Sequence, residues 1–288
     1  MSAADDKTCF ICCTCGTQFA ESTKPPGSCA ICQDSRQYVP RSGQTWTTLI
    51  DLARSHSNSF SEEETNLLAI ETTPAFAIGQ RALLLRTPAG NILWDCISLI
   101  DAATIDVIDA LGGLIAIAIS HPHYYTTMVA WSRAFGGAPI YLHRDDREWV
   151  MRPDGAIKFW EGENHTIAPG INLLHCGGHF PGGTVLHWAD GAEGKGVLLS
   201  GDILQVTPDG WVSFMFSYPN YIPLPGAAVS QIAQRLKPWK YDRIYGAFAK
   251  RSVEKGAAQT VEKSVQRYLA AIAPARDTRR PESSTPST

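Results

Sequence analysis

Leu114-Ile115-Ala116-Ile117-Ala118-Ile119-Ser120-His121-Pro122-His123-Tyr124-Tyr125 is the stretch on which the fold turns. Its first half is a branched apolar run with the length of a buried strand. Its second half ends that strand in two histidines one residue apart. Side chains at i and i+2 of an extended segment leave the same face, so His121 and His123 are expected to meet at one point of a sheet edge. Two imidazoles there are half of a metal site, or half of a proton-transfer site. The other half has to come from elsewhere in the chain.

Working outward, 124–135 is spaced as a helix closed by Gly136-Gly137, and 102–111 as another closed by Gly112-Gly113. Strands are expected over 75–79, 81–87 and 92–96, with Pro88-Ala89-Gly90-Asn91 as a hairpin turn, while 51–68 reads as partly helical. Further strands fall at 139–143, 172–176, 184–188 and 196–200, and amphipathic helices at 227–236 and 257–272 flank a strand at 243–245. Strand meanders with helices interspersed predict a mixed α/β layered domain.

The second half of the site is expected from two strand ends. Gly177-Gly178-His179-Phe180-Pro181-Gly182-Gly183 sets a histidine among glycines, which allow sharp turns and close backbone approach to a ligand. Leu199-Ser200-Gly201-Asp202 ends another strand in a carboxylate. His121, His123, His179 and Asp202 together suit zinc with room for a water. Asp202 reads as a fourth ligand, a partner of the ligands or a general base, the plain alternative being a residue that only caps the turn. Tyr124 and Tyr125 are either packing residues or donors to a developing oxyanion. His56, His143, His165, His175 and His187 are read as structural.

In this order, H-x-H, a glycine-flanked histidine and G-D at strand ends resemble the metallo-β-lactamase superfamily over roughly residues 46–272. The resemblance implies an αββα sandwich with metal at one edge of its two sheets. It also marks departures. The family's H-x-H-x-D-H reads His121, His123, Tyr125 and Thr126 here, and the place of its last histidine reads Tyr245-Gly246-Ala247-Phe248. Three ligands of the second metal are thus replaced, and one zinc is expected in this body. The implied activity is a zinc-dependent hydrolase attacking an ester, thioester, lactone or amide carbonyl through a single-metal hydroxide. Asp202 would orient the nucleophile or carry its proton. The alternative is a binding or scaffold protein on the same fold with a vestigial site. The aromatic stretch 211–221 is either core or an apolar wall for a small-molecule substrate.

Six of the eight cysteines lie between Cys9 and Cys32. Cys12-x-x-Cys15 and Cys29-x-x-Cys32, separated by 13 residues, have the spacing of a four-thiolate site and resemble a short zinc ribbon. Cys9-x-x-Cys12 is an alternative first pair, and Gly16 after Cys15 favours the other. Such a closed site is structural, whereas a rubredoxin-like iron site would make the module a redox element. Residues 1–39 are therefore expected to form a four-cysteine module, 40–274 the body and 275–288 a disordered tail. A second zinc is expected in the module.

With 44% hydrophobic and 18% charged residues and a formal charge of −3, the chain has no electrostatic reason to bind nucleic acid. No apolar run reaches the roughly 18 residues of a membrane span. The N-terminal residues lack the basic-then-apolar order of a secretory signal, so a cytoplasmic location is expected.

Overall fold

The computed structural model describes residues 7–273, and the expected tail lies outside them. At the start, β1 (Ile11–Cys12) pairs with β2 (Trp46–Thr47), so backbone pairing of the cysteine module crosses residue 40. Between them a single turn, α1 (Ala30–Gln33), carries Ile31 and Cys32 inward. A further turn, α2 (Leu49–Leu52), leads into the body.

The first sheet comprises β3 (Ser57–Glu64), β4 (Leu67–Thr73), β5 (Ala82–Thr87), β6 (Gly90–Trp94), β7 (Ala116–Ala118), β8 (Ile140–His143) and β9 (Ile157–Trp160) in sequential order. It is antiparallel as far as β6 and parallel from β6 to β9. Helices α3 (Ala102–Ala110) and α4 (Met128–Ala134) make the crossovers either side of β7. The second sheet is built from β10 (Asn164–Ala168), β11 (Ile171–His175), β12 (Thr184–Trp188) and, after the left-handed turn α5 (Gly191–Gly194), β13 (Val197–Gly201). Two short hairpins follow: β14 (Gln205–Val206) with β15 (Val212–Ser213), and β16 (Met215–Ser217) with β17 (Ile222–Pro223). Helix α6 (Gly226–Leu236) then leads to β18 (Arg243–Gly246), which lies parallel to β13, and β19 (Ser252–Val253) completes the sheet before α7 (Ala257–Ile272).

Alternation along the strands explains the layering. In β6 and β7, Ile92, Trp94, Ala116 and Ala118 enter the core between the sheets, while Leu93 and Ile117 pack outward with Ile108 of α3 and Met128 and Trp131 of α4. In β12 and β13, Leu186, Val197 and Leu199 face the inter-sheet core, and Val185 and Leu198 meet Val229, Ile232, Val261 and Val265 of α6 and α7. Strands covered on both faces read as continuous apolar runs. The layers are helix, sheet, sheet, helix, so the expected αββα sandwich is the observed one.

Three local expectations are corrected. Residues 75–79 form a loop, because Pro74 cannot donate to a ladder and Ala77 and Gly79 take left-handed φ of 53° and 78°. The partly helical reading of 51–68 holds only at its start, where α2 ends at Leu52; from Ser57 the chain is β3, an edge strand whose polar Ser57-Asn58-Ser59 and Ser61-Glu62-Glu63-Glu64 carry no apolar period. The helix expected from 124 begins only at Met128, because a 3₁₀ turn over Pro122–Tyr124 comes first.

Gly196, just before β13, has φ +88°, and a Cβ there would lie 2.0 Å from the Lys240 carbonyl oxygen. Gly196→Ala is expected to lower stability by about 3 kcal/mol, from left-handed strain plus a displaced carbonyl, read as a shifted urea midpoint with unchanged slope.

Candidate metal centres

Cys12 and Cys32 bring their sulfurs to 3.6 Å, as do Cys15 and Cys29, and all four side chains are buried and free of disulfides. A tetrahedron with metal–sulfur bonds of about 2.3 Å has edges of about 3.8 Å, so the thiols fit a single ion. Gln44 Nε2 donates to Cys12 Sγ at 3.1 Å, and the Thr14 amide also points at that sulfur at 3.4 Å. Hydrogen bonds from the neighbouring thiols hold Cys12 well below the ordinary thiol range, while burial pushes Cys15 well above it. Cys12, Cys15, Cys29 and Cys32 pack with Ile31 in one buried cluster, and Ile11 is the module's other fully buried apolar residue. The alternative ligand Cys9 stays outside this cluster and half-buried.

The second cluster lies where the metal edge was expected. One donor atom each from His121, His123, His179 and Asp202 lies within 4.8 Å of the others. The histidines converge for a different reason than strand alternation, because β7 ends at Ala118. His121 is extended (φ −170°, ψ 169°) and caps the 3₁₀ turn that carries His123. Each ring is oriented from behind. Ser120 Oγ lies 2.8 Å from His121 Nδ1, leaving Nε2 free, and His179 Nδ1 donates to the Met215 carbonyl at 3.0 Å. The bare His179 Nε2 then faces His123 Nδ1 at 3.2 Å, and His121 Nε2 lies 3.7 Å from Asp202 Oδ2. Metal–nitrogen bonds of about 2.05 Å give tetrahedral edges of about 3.3 Å, close to that imidazole pair. His121 Nε2, His123 Nε2 and Asp202 Oδ1 are buried without hydrogen-bond partners. Burial lowers the proton affinity of all three imidazoles, His179 to about 4, and raises the Asp202 carboxyl to about 7. Neutral imidazoles around an unpartnered carboxylate are the donor set a divalent ion takes.

The two tyrosines part company. The Tyr124 ring packs 4.4 Å from His121, and its buried hydroxyl lies by Asp202 with no hydrogen bond of standard geometry. Tyr125 instead belongs to the apolar layer under α4, where the charge acting on its phenol is that of Asp146, not Asp202. An oxyanion-donor role for Tyr125 is therefore dropped. The positions of a second metal are filled with non-ligands. Tyr125 and Ala247 are in core, and the Thr126 carbonyl accepts the Gln18 amide of the cysteine module at 3.0 Å. The aromatic stretch does reach the site. Tyr218 lies 5.5 Å from the His179 ring and donates to the Asp202 carbonyl at 2.9 Å, whereas Phe214 is core.

Sequence reading missed two residues here, Asp95 and Arg36. Asp95 follows β6 with φ +59° and accepts the Ser120 amide at 2.7 Å, which fixes the backbone just before His121. Burial pushes its carboxyl up to about 8. Gly201 has φ +50°, and a Cβ there would meet Ser120 Oγ at 2.4 Å, so the Asp202 turn packs directly on the residue that orients His121. Arg36 donates to the His179 carbonyl at 2.7 Å from the cysteine module. Nothing in the sequence marked Asp95, which read as part of the strand expected over 92–96; its left-handed φ appears only in the structure. His143, Asp145 and His175 form a third convergent group, but its rings stack face to face at 3.9 Å. His143 Nδ1 accepts the Asp145 amide and His175 Nε2 contacts the Pro181 carbonyl, so the structural reading of both histidines fits.

Asp146 braces the His179 loop from below by accepting the Gly182 amide at 2.8 Å. Burial raises its carboxyl to about 7, the Gly182 amide and Arg36 acting the other way. A raised carboxyl favours the folded state fully below its unfolded pKa of about 4, and that advantage is lost as pH rises through about 7. Asp146→Asn keeps the acceptor without the charge. It is expected to match the native chain at pH 4 and exceed it by about 2 kcal/mol at pH 8 in urea unfolding.

No family model matches the chain. Among solved structures, VMB-1 aligns with TM-score 0.57 at 11% identity, covering 75% of this chain and 99% of that one. DIM-1 metallo-β-lactamase aligns with TM-score 0.56 at 14% identity (75% and 98%), and SMB-1 metallo-β-lactamase, solved with mercaptoacetic acid, with 0.51 at 17% (75% and 96%). At these identities the likeness is one of fold, and with the sheet order and the strand-end cluster it defines a metallo-β-lactamase-fold protein carrying a four-cysteine module. A much nearer relative is "Uncharacterized protein YmaE" of Bacillus subtilis (strain 168), 52% identical over 266 residues, which span 91% of this chain and 96% of that protein. The chain belongs to the family of YmaE.

Proposed function

We propose that the chain is a metal-dependent hydrolase whose body holds one zinc ion on His121, His123 and His179, with Asp202 beside it. The observation that carries this is the convergence of three buried imidazoles and a carboxylate on one point, with His121 Nε2, His123 Nε2 and Asp202 Oδ1 left unpartnered and His179 Nε2 meeting only another imidazole nitrogen. A bound zinc ion supplies Lewis acidity and lowers the pKa of a coordinated water to about 7. Asp202 Oδ1, buried and unpartnered, is the acceptor for the proton released when a water adds to a carbonyl. Tyr124 Oη, equally unpartnered, is the donor available to the oxygen on which negative charge develops. The Met215 carbonyl fixes the His179 tautomer, and Ser120 Oγ holds the His121 ring in place, while this happens. An ester, thioester, lactone or amide of a small, apolar or aromatic molecule suits the surrounding Phe180, Phe216 and Tyr218. With Tyr125, Thr126 and Ala247 in the second-metal positions, a mononuclear centre accounts for the ligands present. The thiolate module fits a second, structural zinc, and its reduced cysteines fit a cytoplasmic protein. No helix among the described residues is long and apolar enough to cross a membrane.

One observation favours the rival reading of a scaffold with a buried metal. His121, His123, His179 and Asp202 are only 1–5% exposed, so a substrate reaches them only after Phe180 or the 215–218 hairpin moves. Elemental analysis decides the metal part: two metal ions per chain are expected, falling to one in His121→Ala/His179→Ala. A panel of esters, thioesters and lactones decides catalysis. Turnover by the native chain that persists undiminished in the double variant overturns the proposed site, and a fully loaded chain with no turnover supports the scaffold.

A further inference from the structure

We propose that Arg36, in the four-cysteine module, is a positioning residue for the histidine centre, so that the module forms part of that centre's supporting shell. The inference rests on the metal reading of the centre. Arg36 leaves the loop just after Cys32 and ends on the body's His179 loop, 143 residues away, where Nε donates to the His179 carbonyl at 2.7 Å. Its guanidinium lies over the Phe180 ring at 4.3 Å and the Phe216 ring at 4.7 Å. Asp34 fixes the guanidinium by receiving Nη1 at 2.9 Å on both carboxylate oxygens. The backbone is tied to the same place: Ser217 Oγ donates to the Arg36 carbonyl, and Asn220 Nδ2 to the carbonyls of Ser35 and Gln37.

Arg36 therefore holds both strands of support for His179. One is the ligand's own carbonyl; the other is the 215–217 hairpin, whose Met215 carbonyl receives His179 Nδ1. A positive charge beside a cation site opposes the cation, so electrostatics alone gives no reason for arginine here. The planar guanidinium is the group that donates to a carbonyl and stacks between two rings at once, which an ammonium does not do. Groups that orient metal ligands from behind typically change metal affinity about 10- to 100-fold when removed.

The test uses the full chain loaded with cobalt(II), whose tetrathiolate form shows strong sulfur-to-metal charge transfer and whose imidazole–carboxylate form shows only weak d–d bands. In Arg36→Met the thiolate bands are expected unchanged, while cobalt affinity at the histidine centre falls about 10- to 100-fold and its d–d bands shift. Arg36→Lys, with charge but no planar fork, is expected to stay several-fold weaker than the native chain. Histidine-centre affinity within about twofold of native and unmoved bands in Arg36→Met overturn the proposal. Should Arg36→Met lose the thiolate bands, Asp34→Asn, which frees the guanidinium and leaves the chain intact, is the decisive variant. Weaker cobalt binding with moved d–d bands supports the proposal and native behaviour overturns it. A native chain with thiolate bands alone removes the metal reading of the histidines, and the proposal with it, before any variant is made.

Discussion

Replacing Cys15 and Cys29 together with serine is expected to abolish metal binding at the N-terminus and release residues 8–37 from the body. The expectation follows from how little core the module has of its own, since its ties to the body through Gln18 and Arg36 leave from loops that the thiols hold. Its buried apolar core is the four cysteines, Ile11 and Ile31, and its regular structure is one two-residue strand pair and one helical turn. A module of this size cannot bury enough apolar surface to offset its chain entropy, whereas a structural thiolate site supplies about 10–16 kcal/mol of apparent binding energy. Metal content should drop by one ion per chain, and limited proteolysis should cut between residues 8 and 45 while the αββα body resists. A module that stays protease-resistant without metal sinks this expectation.

His121→Ala/His179→Ala is the second large effect. Two of three imidazoles and the bond to Met215 are removed, so the body should bind no metal, and turnover of any ester or thioester substrate should fall at least about a thousandfold, some 4 kcal/mol of barrier. The fold should survive, because no core strand depends on either ring. Circular dichroism separates the two outcomes: native spectra with lost turnover fit the site, and collapsed spectra report a structural role for the histidines.

Much of this molecule was legible from residues. The apolar run 114–119 before two histidines located the central strand, and glycines around His179 with Gly201-Asp202 located the other site loops, because backbone turns at strand ends demand those residue types. The four cysteines were legible through spacing alone. What escaped was whatever depends on long-range packing. Polar β3 has no apolar pattern because its edge position leaves none of its residues buried. The convergence of His121 and His123 arises from a 3₁₀ turn that strand alternation does not foresee. Tyr124 and Tyr125 are adjacent and chemically identical, so only the turn's geometry decides which one touches the cluster. Arg36 is one of many surface-type residues until the fold sets Phe180 and Phe216 on either side of it.

The span between Arg36 and its landing site has a consequence for how the protein is made. Synthesis proceeds from the N-terminus at about 5–20 residues per second, so the thiols leave the ribosome roughly 7–30 s before His179 and the 215–218 hairpin exist. On the proposed reading of two metal centres, the thiols are available to an ion before the imidazoles can assemble, which would order metallation by translation.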